Sequence, residues 1–184
     1  MDEQDGAKYK SFETKEEATK AFEKGYEHYL KTASSSKAAA GLTPKAPVGK
    51  PIWESLCVDA ACSGNPGDME YRGVYPPTMQ EIFRIGPLKK GTNNIGEFLA
   101  LVHGLALLKQ KGSSLPIYSD SRNAIGWVKK KKCKTLLERV PENEPIFDLI
   151  ERAEKWLKTN TYTTPILKWE TSEWGEIPAD FGRK

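Results

Sequence analysis

From Ile52 onward, short apolar runs alternate with longer stretches of helical period. The run Leu56-Cys57-Val58, inside Ile52–Cys62, has no alternating polar positions and reads as a buried central strand. Ser63-Gly64-Asn65-Pro66-Gly67 follows as a strong turn signal. Met69–Tyr75 and Gln80–Pro87 read as two further antiparallel strands, joined at Pro76-Pro77-Thr78, with a loop at Lys89–Asn93. The stretch Asn94–Gln110 carries Leu101, Leu105 and Leu108 on one helical stripe and ends at Lys111-Gly112, a C-terminal stop signal. Leu115–Ser119 is a short strand, Ser121–Lys131 a helix, and Lys132–Pro145 irregular. Ile146–Lys158 is a helix with Ile146, Leu149, Ile150, Ala153 and Leu157 on one side. Thr163–Trp169 is a strand, and Ile177–Lys184 a final short helix. The order β-β-β-α-β-α-α-β-α predicts an α/β protein: a five-stranded mixed sheet flanked by helices, because each parallel return needs a crossover helix.

The texture upstream is different. Ala18, Phe22, Tyr26, Tyr29 and Leu30 recur at helical spacing within residues 8–31. Residues 32–51 are small residues, lysine and proline with nothing to bury, the composition of a linker. The chain thus divides into an appendage over 1–31, a linker over 32–51 and a main domain over 52–184.

Four carboxylates interrupt this pattern. Asp59 sits inside the first strand, which continues through Ala60-Ala61-Cys62; burial and strand propensity both disfavour it there. Glu97 lies on the apolar stripe of its helix, although Asn94 three residues earlier allows a capping-box reading. Asp120 follows Pro116-Ile117-Tyr118-Ser119, where it could cap the next helix or sit at the carboxyl end of a strand, the place where open α/β sheets build sites. Asp180 follows Glu176 by four residues; on one helical turn, both are solvated or a cation sits beside them. An isolated buried carboxylate costs several kcal/mol unless it is paired, protonated or on a metal. Convergence of the four on hard divalent cations accounts for them together.

Composition narrows the setting. Net charge is +3 over 184 residues, which permits nucleic-acid binding without arguing for it. The local cluster Lys129-Lys130-Lys131-Lys132-Cys133-Lys134 matters more; it is either a solvated face or a phosphate-attracting one. No apolar run approaches the length of a membrane span. The acidic start Met1-Asp2-Glu3-Gln4-Asp5 is not a signal peptide. Cys57, Cys62 and Cys133 are odd in number, lack metal spacing, and read as reduced thiols of a cytoplasmic protein.

The flanking residues carry a resemblance. Val58-Asp59-Ala60-Ala61-Cys62-Ser63-Gly64-Asn65-Pro66-Gly67 resembles the first strand and turn of type 1 ribonucleases H. Thr92-Asn93-Asn94-Ile95-Gly96-Glu97 and Tyr118-Ser119-Asp120-Ser121 resemble that family's second and third motifs. Trp174–Lys184 resembles the variant C-terminus of bacterial members that carry an N-terminal hybrid-binding domain. Gly6–Phe12, with Glu16-Glu17-Ala18 and the aromatic helix after it, looks like the second half of that small domain, whose first half has no counterpart before Asp2.

The resemblance implies an RNase H-like fold and endonucleolytic hydrolysis of the RNA strand of RNA/DNA hybrids, leaving 5′-phosphate and 3′-hydroxyl ends. It implies two Mg²⁺ ions, with Mn²⁺ as a possible substitute, about 4 Å apart at the scissile phosphate. Asp59 would bridge both, with Asp120 beside it; Glu97 would serve the leaving-group side and Asp180 the water side. Glu176 would modulate the water side and product release. Cys62, Ser63, Gly64 and Asn65 would lie at the minor groove, where 2′-hydroxyls mark RNA, and Asn93 would reach sugars or base edges. Thr92, Asn94 and Thr135 would hold a DNA phosphate. Trp127 would stack on a deoxyribose or serve as a core tryptophan. The family's long basic handle helix has no counterpart, so weaker hybrid affinity is expected. No obligate protein partner is expected, and the chain reads as a monomer. Two rivals stand beside this reading: a non-catalytic hybrid- or RNA-binding protein, and another nuclease of the same fold, resolvase- or integrase-like.

Overall fold

Strand β1, Leu56–Cys62, is the axis of the domain, with Leu56, Cys57 and Val58 fully buried. It pairs antiparallel with β2, Gly67–Tyr75, and parallel with β4, Ile117–Ser119. Beyond these lie β3, Gln80–Gly91, and β5, Ile166–Lys168, so the sheet order is β3-β2-β1-β4-β5. The computed structural model describes residues 49–182. The aromatic helix expected over residues 8–31 and most of the linker lie outside that range.

Side chains of β1 alternate between two layers. Leu56, Val58 and Ala60 join the main core beneath α1, Asn93–Gln110. Cys57 faces a smaller aromatic layer with Tyr118, Val74, Trp169, Ile177 and Ala179. Helix α1 lies close to the sheet because two of its positions have no side chain. A Cβ on Gly96 would meet the Ala60 Cβ at 2.7 Å, and one on Gly104 would meet the Ile117 Cδ1 at 2.5 Å. Helices α2, Arg122–Lys129, and α3, Glu144–Thr159, complete that layer; Ile146, Ile150, Ala153 and Leu157 form the buried side of α3.

The mixed sheet agrees with the sequence pattern, and the bounds of β3, β4, β5 and the final helix do not. Strand β3 runs through the expected loop at Lys89 to Gly91, which pairs with Gly67. Pro87 is tolerated there because β3 is an edge strand, with no further strand to receive a donor. Strands β4 and β5 are trimmed to three residues each. The final helix expected over Ile177–Lys184 is not formed in the described part of that range. The helix is instead the single turn α4, Thr171–Trp174. Gly175, at φ 79°, turns the chain out of it, and Pro178 restricts Ile177 to extended backbone. Asp180 N donates to Ile177 O at 2.8 Å in a turn, so Glu176 and Asp180 do not share a helical face.

Candidate active site

The sheet brings Asp59, Glu97 and Asp120 together. Each offers one carboxylate oxygen, and these lie within 4.8 Å of one another. Asp59 comes from the middle of β1 and is 3 % exposed; Glu97, on the first turns of α1, is 2 % exposed. Asp120 follows the carboxyl end of β4 and is half-buried. The close approach at Gly96 places Glu97 over the β1 backbone, where its Oε1 accepts from Ala60 N at 3.3 Å.

The capping alternatives for two of these residues fail on geometry. Thr92 is the N-cap of α1, its Oγ1 accepting from Ile95 N at 3.3 Å. Ser121 caps α2, its Oγ accepting from Ala124 N at 3.1 Å. Glu97 and Asp120 are therefore released from helix-end duty.

The cluster is electrostatically costly without a cation. Burial, reinforced by the charges of Asp120 and Asp180, pushes the Asp59 carboxyl up to about 6, against a hydrogen bond shared with Glu97. Burial first, then the neighbouring Asp59, holds Glu97 well above the usual carboxylate range. Glu97 Oε2 is buried with no donor to receive it. A hard cation satisfies that orphaned oxygen and reverses the sign of the repulsion. The donor set is all-oxygen, which suits a hard divalent cation. His103 is not a rival ligand: burial lowers its pKa, its ring stacks on Phe83 at 4.0 Å, and its Nδ1 meets Tyr71 OH at 3.2 Å.

Asp180 stands outside the three-carboxylate group but within the field of Asp59. Its Oδ2 accepts from Gly182 N at 2.9 Å. Glu176 is exposed and stands outside the three-carboxylate group. Burial pushes the Cys57 and Cys133 thiols up to about 12 and raises that of Cys62.

A groove of about 390 Å³ is lined by Cys62 and the turn after β1, Gly64 and Asn65, and by Thr92, Asn93 and Asn94 at the start of α1. All six are residues for which the resemblance implies substrate contact. Ser63 is exposed on the same turn, its Oγ accepting from Asp68 N at 3.0 Å. Trp127 and Thr135 do not line the groove. Trp127 is half-buried, edge-on to Phe98 at 6.2 Å. The Thr135 Oγ1 accepts from Leu137 N at 3.1 Å. Lys129, Lys130, Lys131, Lys132 and Lys134 are exposed. Glu154 anchors their loop through Cys133 N at 2.9 Å and an ion pair to Lys132. Pattern reading overlooked Glu154 because one glutamate on a charged helix face carries no signal of burial.

Residues 54–168 match the family model of RNase H. A ribonuclease H of Rhodopirellula baltica is 41% identical over 75 residues, 40% of this chain and 46% of that protein. Ribonuclease HI of Rickettsia prowazekii is 32% identical over 137 residues, 68% of this chain and 84% of that protein. The match thus spans under half of the first relative and most of the second. Among solved structures, RNase H1 of the halophilic archaeon Halobacterium salinarum is 19% identical with a TM-score of 0.40, over 65% of this chain and 86% of that one.

Proposed function

The chain belongs to the RNase H family, and on that premise we propose that it hydrolyses the RNA strand of RNA/DNA hybrids endonucleolytically, leaving 5′-phosphate and 3′-hydroxyl ends. The observation that carries this reading is the convergence of Asp59, Glu97 and Asp120 around a buried, donorless Glu97 oxygen. Asp59, Glu97, Asp120 and Asp180 would hold two Mg²⁺ ions, with Mn²⁺ able to replace them. When bound, the metal supplies Lewis-acid activation of water and neutralises charge on the leaving oxygen.

The chain's own residues do the rest. Strand β1 fixes Asp59 at the centre of the sheet, and α1 holds Glu97 against it through Ala60 N. Gly64 lets a sugar–phosphate backbone approach closely, while the exposed Asn65 and Asn93 offer donors and acceptors to 2′-hydroxyls and base edges. Thr92 and Asn94 at the start of α1 face a phosphate with neutral donors, next to a helix N-terminus that favours anions. Glu176, exposed on the segment before Asp180, acts on product release rather than as a ligand. Residues 1–31 belong to a hybrid-binding-domain-like appendage in this reading, and the catalytic domain is 52–184. The three unpaired thiols fit a reducing, cytoplasmic setting for a monomer. Incubating the protein with end-labelled RNA/DNA hybrid, duplex RNA and duplex DNA in Mg²⁺ tests the proposal. Cleavage confined to the RNA of the hybrid is expected; an uncut hybrid, or cutting of duplex DNA instead, overturns it.

A further inference from the structure

We infer that Arg72 is a positioning residue for Asp180, setting the distance of that carboxylate from Asp59; the inference rests on the reading of Asp180 as a metal ligand. Three adjacent strands place Asp59, Arg72 and Arg84 in one row, since Asp59 pairs with Arg72 and Arg72 with Arg84. Paired residues share a face, and on this row it is the face covered by Ile177 and Ala179. The Arg72 guanidinium reaches into that covering segment. Its Nε donates to Ala179 O at 2.8 Å and its Nη2 to Asp180 O at 2.6 Å. Two parallel donors on two consecutive carbonyls fix both position and orientation of the backbone that carries the carboxylate.

The grip is itself braced. Arg72 Nη1 bonds Glu81 Oε2 at 3.1 Å. The Phe181 ring lies under Arg72 Cζ at 4.8 Å and under Arg84 Cζ at 5.2 Å. Arg84 is held by Glu70 through Nε at 3.0 Å and Nη2 at 2.5 Å. Asp59 and Glu97 stand on a strand and a helix, whereas Asp180 stands on irregular backbone. A carboxylate on such a segment needs an external clamp to meet a metal site within a fraction of an ångström. Arg72 is that clamp, and it acts through main-chain atoms without touching the reacting groups.

Arg72→Met keeps the aliphatic stem and removes both donors; Arg72→Lys keeps the charge and at most one of the paired bonds. Hydrogen–deuterium exchange over residues 176–182, magnesium titration of single-turnover cleavage, and hybrid binding are measured on both. Arg72→Met is expected to exchange faster in that segment alone, to need about tenfold more Mg²⁺ or to cleave about tenfold more slowly, and to bind hybrid unchanged, with Arg72→Lys between it and wild type. In an Asp180→Asn background, Arg72→Met should add no further loss, the mark of one residue acting through the other. Wild-type magnesium dependence and rate in Arg72→Met overturn the inference. So does faster exchange throughout the domain with a matching fall in Tm, or fully additive loss in the double variant. Wild-type behaviour of Asp180→Asn alone instead sinks the ligand reading beneath it.

Discussion

Asp59 is ionised at a cost in the metal-free protein, and that cost is measurable. Its carboxyl is pushed from an ordinary 3.8 to about 6, a difference worth about 3 kcal/mol against the charged form. The folded state then holds a proton that the unfolded state has released, so stability is greatest below the unfolded value near 3.8. It falls as pH rises toward about 6, and Glu97 contributes with the same sign. In EDTA, Asp59→Asn is therefore expected to melt higher than wild type at pH 7.5, with the gap closing toward pH 4. Adding Mg²⁺ should raise the Tm of wild type and leave that of the variant nearly unmoved. Equal melting of the two proteins at pH 7.5 in EDTA would refute the account of Asp59. At this scale the sequence was legible where a carboxylate broke an apolar pattern, as at Asp59 and Glu97. It was not legible where good caps stand close together: Thr92 against Asn94, and Asp120 against Ser121, are separated only by which side-chain oxygen accepts from the amide three residues on. Arg72 was invisible because a charged strand residue reads as solvent-facing, and its partners lie more than a hundred residues away.

Helix α1 owes its place over β1 to Gly96 as much as to its leucines. An alanine there drives a Cβ to 2.7 Å from the Ala60 Cβ, a contact neither backbone can relieve cheaply. Gly96→Ala is expected to destabilise the domain by about 1–3 kcal/mol. It should also lower cleavage more than it lowers hybrid binding, since Glu97 follows directly; thermal melts and single-turnover assays check the two effects separately. Unchanged stability would show that the helix has room to lift. The C-terminal segment shows the opposite relation between sequence and element. Its residues suggested a helix carrying Glu176 and Asp180 on one face. A left-handed Gly175 and the turn at Pro178 give irregular backbone instead, pinned by Trp169 Nε1 on Gly175 O at 2.8 Å and by Arg72. Such a path is set by tertiary contacts, which no local periodicity records.

Across the whole domain, one sheet separates a packed helical layer from an aromatic layer and gathers acidic groups from β1, α1 and the end of β4. That arrangement follows from the strand order; the alternation of elements predicted a mixed five-stranded sheet without fixing that order. The groove of Cys62, Gly64, Asn65, Thr92, Asn93 and Asn94 is built from the turn that follows β1 and the N-terminus of α1, the two elements that carry Asp59 and Glu97. The exposed lysines at 129–132 and 134 supply positive charge elsewhere on the surface. If they meet the DNA strand, replacing Lys129, Lys130 and Lys134 by Gln should weaken hybrid binding without changing sequence preference. The salt dependence of log Kd should then flatten by about one per lost phosphate contact. An unchanged salt slope would assign the run to a solvated face.

The most direct measurement is cleavage of an RNA/DNA hybrid by the full chain in Mg²⁺, run beside Asp59→Asn with hybrid binding measured on both. Wild type is expected to cut the RNA strand to 5′-phosphate and 3′-hydroxyl ends, while Asp59→Asn binds the hybrid with little change and does not cut. Cleavage retained by Asp59→Asn, or none by folded, hybrid-bound wild type, would contradict the assignment of the acidic centre.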